Sequence, residues 1–231
     1  VVRCVNYKHG YSIYTGYNKL SFAEMKLTFE SKLLLGILLI TSTVIALAVI
    51  IMSRPAKPLA REDLVTTNTH AKGNPEAAVW LVEFSDFQCP ACGAFESAVE
   101  ELIKNYPDTL LFAYRHYPLP SHPMAEPAAR AAEAAALQGK YWEMHSFLFA
   151  NQSDLSEAEF IRLAQSLTLD LSKLEKDMKS PEVKNTIEQD VVYGDKIGIS
   201  ATPTFYLNGV KISPSTPEKL KKMVEDEILN K

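Results

Sequence analysis

The chain has 231 residues, 47% hydrophobic and 23% charged, enough for one large globular domain or two small ones. A net charge of -4 gives no reason to expect a nucleic-acid partner. Three cysteines are too few for a disulfide scaffold, and the five histidines show no paired spacing that would complete a metal site.

Residues 1 to about 32 are polar and aperiodic and suggest no fold. Met25-Lys26 stands just before an apolar run and is a candidate true start, which would place Cys4 in an upstream extension. A disordered cytoplasmic tail reads equally well. Residues 33–52 carry no charge, and twenty helical residues span a hydrocarbon core. The run ends in Met52-Ser53-Arg54-Pro55, a poor cleavage site, so an uncleaved signal anchor is preferred to a signal peptide. Lys26 and Lys32 on one side and Arg54, Lys57 and Arg61 on the other leave the orientation open. Residues 53–62, with Pro55 and Pro58, read as a stiff linker.

The remainder, residues 63–231, predicts an α/β domain. Leu64 to Thr69 is expected to be a short strand, followed by a turn at Lys72-Gly73-Asn74-Pro75. Val79 to Ser85 is apolar almost throughout, as a strand buried on both faces should be. Pro90 to about Asn105 predicts a helix, and Thr109 to Tyr114 a second buried strand. From about 120 to 197 the pattern is helical: an Ala-rich stretch over Ala128–Leu137, an amphipathic one over Tyr141–Phe149, and further segments from Ser156, Leu169 and Pro181. Strands return at Thr204–Leu207 and Val210–Ile212 around an Asn208-Gly209 turn, and Thr216-Pro217-Glu218 opens a last helix.

Cys89-Pro90-Ala91-Cys92 lies where the central strand gives way to a helix. A thiol there sits beside unpaired backbone N–H groups and the positive end of the helix dipole, which favour the reactive thiolate. Pro90 suits the first helical position. Cys92, one turn on, can close a disulfide with Cys89. Cys89 is expected to be the exposed attacking sulfur and Cys92 the buried resolving one. Half of a zinc site and a purely structural cross-link are the alternatives, but the first lacks two ligands and the second closes a very small loop. Glu83 lies in the strand six residues before Cys89. A lone buried carboxylate is costly and tends to hold its proton, unless the position is a solvated strand edge. Asp86 and Phe87 are expected to shape the loop before Cys89. His116 and His122 read as surface or packing residues, and Trp80 and Trp142 as core or interface aromatics.

Three segments resemble the thioredoxin fold, and more closely its DsbA-like branch with a helical domain inserted between the halves. They are Val82–Cys92, Tyr114-Arg115-His116-Tyr117-Pro118-Leu119, and Gly198-Ile199-Ser200-Ala201-Thr202-Pro203-Thr204-Phe205. The resemblance covers roughly residues 60 to 231. It implies a thiol–disulfide oxidoreductase with Cys89–Cys92 as its redox disulfide. It further implies a cis bond at Thr202-Pro203 facing the cysteines, and Glu83 as proton acceptor and donor for Cys92. Substrate would then lie against Thr202, Pro203, Pro90 and Ala91. No bound cofactor is needed, since the cysteines carry the electrons. Exported protein thiols are the implied substrates, a quinone-linked membrane protein the implied partner, and the periplasmic or extracellular side of the membrane the implied location. A reductase or isomerase, or a non-catalytic peptide-binding module, are the competing functions. The strongest oxidant of the family carries histidine at the position of Ala91. Alanine offers no donor or charge there, so Cys89 is expected to be less depressed and the disulfide less oxidising than in that enzyme.

Overall fold

The computed structural model describes residues 28–52 and 57–231. The expectations for Cys4, Met25 and most of the N-terminal tail fall outside these residues. The chain divides into two units, residues 1–55 and 56–231.

The first unit contains helix α1 (Phe29–Met52). Residues 29–50 have a mean hydropathy of 2.8, long and apolar enough to cross a membrane. Its three adjacent hydroxyls bond back to the helix. Thr41 Oγ1 donates to the Leu38 carbonyl at 3.0 Å, and Ser42 and Thr43 donate to that of Leu39 at 2.9 and 2.7 Å. Each polar group is thereby satisfied without water, as a hydrocarbon environment demands.

The second unit is a five-stranded mixed sheet with helices on both faces. It begins with a single turn, α2 (Arg61–Leu64), then β1 (His70–Gly73), β2 (Val79–Ser85), α3 (Pro90–Asn105) and β3 (Leu110–His116). Five helices follow: α4 (Ala125–Ala136), α5 (Tyr141–Ala150), α6 (Glu157–Ser166), α7 (Leu171–Met178) and α8 (Pro181–Lys196). The chain returns to the sheet with β4 (Thr204–Leu207) and β5 (Val210–Ile212), and closes with α9 (Pro217–Leu229). The strand order is β1-β3-β2-β4-β5, with only β2 and β3 parallel.

Residue alternation along the strands builds two cores. Val79 and Leu81 of β2, Leu110 and Phe112 of β3, and Phe205 and Leu207 of β4 share one face with α3, the helical insertion and α9. Trp80, Val82, Phe84, Leu111, Ala113 and Tyr206 share the other with Leu64 and Ile199. Seven buried alanines make α4 thin enough for its neighbours to approach closely. Four helix starts in this unit are capped by a side chain that accepts a backbone N–H, Ser156, Asp170, Ser180 and Thr216, and each such cap contributes about 1 kcal/mol. The insertion is tied to the sheet by Arg115, whose Nε donates to Asp190 Oδ1 at 2.6 Å. The other oxygen of Asp190 accepts the His116 N–H at 2.9 Å.

Three expectations need correction. Leu64 to Thr69 is not a strand. Leu64 is a fully buried helical residue, and Thr66 and Thr69 close a hydroxyl-bonded turn. The strand is the more polar His70–Gly73, which supplies an edge to β3 and alternates half-buried and exposed residues. The linker also ends earlier than residue 62. The Leu59 N–H donates to the Gly209 carbonyl at 2.9 Å, and Arg61 Nη1 donates to the Ala77 carbonyl at 3.0 Å. Finally, α5 buries one face, Tyr141, Met144, His145, Leu148 and Phe149, as expected, but its outer face is only partly polar, with Trp142, Phe147 and Ala150 beside Glu143 and Ser146.

Candidate active site

The C-terminal ends of β2 and β3 carry an unusual set of residues for a buried sheet face. Glu83 and Ser85 follow Val79 and Leu81 on the same side, and in the parallel register Glu83 pairs with Tyr114 and Ser85 with His116. An apolar face thus turns polar at one end, directly where the chain leaves β2 for the Cys89–Cys92 turn. Glu83 is 2% exposed, so the solvated-edge reading does not hold. Ser85 Oγ donates to Glu83 Oε1 at 2.7 Å. Burial dominates this single bond, and the nearby acid Glu96 and thiol Cys89 act in the same direction, pushing the Glu83 carboxyl up to about 8.

The loop from Asp86 to Cys89 is held by side chains distant in sequence. The buried Asp86 carboxylate accepts the Gln88 N–H at 2.7 Å, the Leu119 N–H at 2.9 Å and a contact from His122 Nδ1 at 2.6 Å. Gln88 Oε1 accepts the Met124 N–H at 2.6 Å. Gln152, from a 3-10 turn in the insertion, donates through Nε2 to the Phe87 carbonyl at 2.8 Å and the Cys89 carbonyl at 2.9 Å. Asp86→Ala would leave two backbone donors and an imidazole without their acceptor, so a loss of about 3 kcal/mol is expected in urea unfolding. A loss below 0.5 kcal/mol would show that the loop holds itself.

Cys89 is the N-cap of α3 and Pro90 its first residue. Both cysteines are free thiols. The attacking sulfur is not exposed as expected: Cys89 is 7% accessible and Cys92 1%, while Pro90 and Ala91 face solvent. The two thiols differ more in how firmly each holds its proton than in exposure. The Cys92 thiol donates to Cys89 and stabilises its thiolate. Burial opposes this, and the Thr202 hydroxyl and the backbone N–H groups of Cys92 and Ala91 add to it. The net result lowers Cys89 to about 5. Cys92 is driven far up, first by burial, then by serving as the donor to Cys89 and by the charge of Glu83. One sulfur is therefore a thiolate at neutral pH and the other holds its proton.

The Thr202-Pro203 bond is cis, and the neutral Cys89 thiol donates to the Thr202 carbonyl at 3.5 Å. Thr202 Oγ1 is buried with no hydrogen-bond partner, and its nearness to Cys89 is what lets it favour the thiolate. The structure thus brings together Glu83, Cys89, Cys92 and Thr202-Pro203. It places His116 elsewhere, with Nε2 2.8 Å from Glu133 Oε1, an oxygen shared with His70. No cluster of histidine, cysteine or acidic residues fit to hold a metal occurs among the described residues.

A family profile described as thioredoxin (Thioredoxin_4) matches residues 65–226, more than half of the chain. The chain belongs to this thioredoxin family. Its fold is that of the DsbA-like branch. A thioredoxin-like oxidoreductase from Silicibacter pomeroyi DSS-3 is 30% identical, with a TM-score of 0.67 over 75% of this chain and 99% of that one. BdbD from Bacillus subtilis, at 24% identity and a TM-score of 0.62 over 70% and 94%, shares the fold. Among curated proteins, a Na(+)/H(+) antiporter NhaA 3 from Salinispora tropica is 45% identical over 141 residues, which is 61% of this chain and 22% of the antiporter. The NhaA antiporter of Herminiimonas arsenicoxydans is 36% identical over 146 residues, 63% of this chain and 23% of that protein. The chain therefore spans less than a quarter of the length of these two relatives. The family is thioredoxin, and the fold is that of the thioredoxin-like oxidoreductase from Silicibacter pomeroyi.

Sequence reasoning did not find Gln152, Glu96 or His145. His145 is fully buried among the rings of Phe87, Tyr114, Trp142 and Phe149, and both its nitrogens lack a hydrogen bond. Its Nδ1 lies 3.4 Å from Glu96 Oε1 but out of hydrogen-bond alignment. Glu96 follows Cys92 by one helical turn, which places it on the same side of α3 and is the one signal available beforehand.

Proposed function

We propose that this protein is a membrane-anchored thiol–disulfide oxidoreductase that forms disulfides in exported proteins. The observation that carries this reading is the asymmetry of the two thiols, with Cys89 held at about 5 and Cys92 far above its ordinary value. A substrate thiolate attacks Cys89 Sγ in the oxidised pair. The Cys89–Cys92 bond breaks, a mixed disulfide forms at Cys89, and the electron pair leaves on Cys92 Sγ. Glu83 donates the proton that neutralises Cys92. A second substrate thiolate attacks the substrate sulfur of the mixed disulfide, and Cys89 departs as a thiolate. The substrate gains a disulfide and the enzyme holds two electrons, which pass to a quinone-linked membrane partner.

Stabilising the reduced thiolate raises the reduction potential, and this favours disulfide donation over reduction. The backbone beside cis Pro203, together with the exposed Pro90 and Ala91, forms the surface on which an extended substrate segment lies. Residues 33–52 anchor the protein, with the redox domain on the periplasmic or extracellular side. Equilibration of the full chain in detergent with glutathione buffers tests the direction. A potential above about -200 mV is expected, whereas a value near that of thioredoxin, about -270 mV, would turn the assignment to a reductase. A chain that exchanges no disulfide with glutathione would leave only a non-catalytic binding module.

A further inference from the structure

Besides His122 on Asp86 and the rings of His145 and Phe149 on Phe87, the helical insertion reaches the redox turn through a side chain that the chemistry above does not use. Gln152 spends both amide hydrogens on the carbonyls of Phe87 and Cys89, at 2.8 and 2.9 Å. These carbonyls flank Gln88, so the amide spans the tight turn that presents Cys89 to α3. The neighbouring helix leaves room for it. A Cβ on Gly93 would stand 2.6 Å from Gln152 Oε1 and 3.2 Å from Cδ. Gly93 directly follows Cys92, and its N–H also donates to the Cys89 carbonyl, at 3.2 Å. The amide therefore lies over the first turn of α3 in a space that any side chain at residue 93 would occupy.

We propose that Gln152 is a positioning residue through which the helical insertion acts on the redox pair, fixing the Phe87–Cys89 turn and setting a partial positive charge against the Cys89 backbone. This rests on the oxidoreductase reading above. Two carbonyl dipoles end beside the attacking cysteine, and their oxygens carry partial negative charge. Donation from Nε2 offsets that charge and keeps the Ala91 and Cys92 N–H groups aimed at the sulfur. The other titratable groups acting on this environment are Cys92, on α3, and Glu83, on β2, with Thr202 supplying a hydroxyl from the loop before β4. None of them replaces the amide, because they approach from α3, from β2 and from the loop before β4, and Gln152 approaches from the insertion.

The test uses the full chain in detergent with two variants. Gln152→Leu keeps bulk and removes both donors. Gly93→Ala leaves Gln152 in place but pushes its amide off the turn, and it raises helix propensity. Cys89 titration is followed by thiolate absorbance, and the potential by glutathione equilibration. In both variants the Cys89 thiol is expected to titrate higher, and the equilibrium constant for reduction by glutathione to fall about threefold to tenfold, up to about 30 mV. A packing role alone would lower stability without moving these two readings. Folded variants with wild-type titration and potential would overturn the proposal, and if Gln152→Leu fails to fold, Gly93→Ala decides alone. Failure of the wild-type chain to exchange with glutathione at all would instead overturn the oxidoreductase reading.

Discussion

Cys92→Ser is expected to accumulate mixed disulfides, and Cys89→Ser to form none. Exchange needs a thiolate, and of the pair Cys89 is the one that is ionised at neutral pH. Once a substrate is joined to Cys89, Cys92 is the internal nucleophile that lies one helical turn away and releases it. Serine at 92 removes that route, so complexes formed from the free Cys89 thiolate and an oxidised substrate persist. They should appear as higher-mass species on non-reducing gels and collapse with dithiothreitol. Serine at 89 leaves, of the pair, only a thiol that is 1% exposed and holds its proton far above neutral pH, and such a group cannot attack at a useful rate. The expected loss of turnover is complete in both variants. Equal trapping by the two would mean that the thiols are interchangeable and that the electrostatic asymmetry has no chemical consequence.

Glu83→Gln is expected to stabilise the folded protein and slow its chemistry. The folded carboxyl titrates near 8, against about 4.5 in the unfolded chain. A raised carboxyl contributes stability that is fully present below pH 4.5 and lost as pH rises through 8. By pH 7 the loss is on the order of 3 kcal/mol. Glutamine has the same shape, keeps an acceptor for Ser85 Oγ, and carries no charge to bury. The difference in unfolding free energy between variant and wild type should therefore be small at pH 4 and grow toward pH 8. Comparing the two at each pH also cancels Cys89, whose depressed value acts in the opposite sense between 5 and 9. Turnover should fall roughly a hundredfold, the range for loss of a positioned proton donor. A stability difference independent of pH would show that Glu83 is charged in the folded state.

The elements that surround the redox turn were readable because local chemistry and tertiary role coincide there. Val79 to Ser85 is apolar enough to require burial on both faces, and Pro90 both starts α3 and follows the cysteine that caps it. β1 was misread because His70-Ala71-Lys72-Gly73 has no apolar signal of its own. An edge strand takes its hydrogen bonds from β3 and asks little of its side chains. The burial of Cys89 was missed for a related reason. Helix position predicts its backbone environment, but the covering residues Thr202 and Gln152 lie far along the chain. Asp86 could be placed in the loop but not paired with His122 and Leu119, since nothing in its neighbours records that approach. His145 reads as one side chain of an amphipathic helix, and only the packing of Phe87, Tyr114 and Phe149 around it shows that it joins the aromatic core beneath the redox turn.

The polar end of the sheet face has a consequence for how the strands find each other. Parallel strands joined by a helix have no tight turn to set their alignment, and a run buried on both faces offers weak discrimination between registers. Here a slip of one residue would move Glu83 and Ser85 to the face occupied by Trp80 and Phe84, and bring Trp80 and Phe84 beneath α3. The carboxyl would then enter an apolar core together with Ser85, and two aromatic rings would lose theirs. The residue proposed to carry a proton thus also penalises misaligned chains and helps hold the strand pairing in a single alignment.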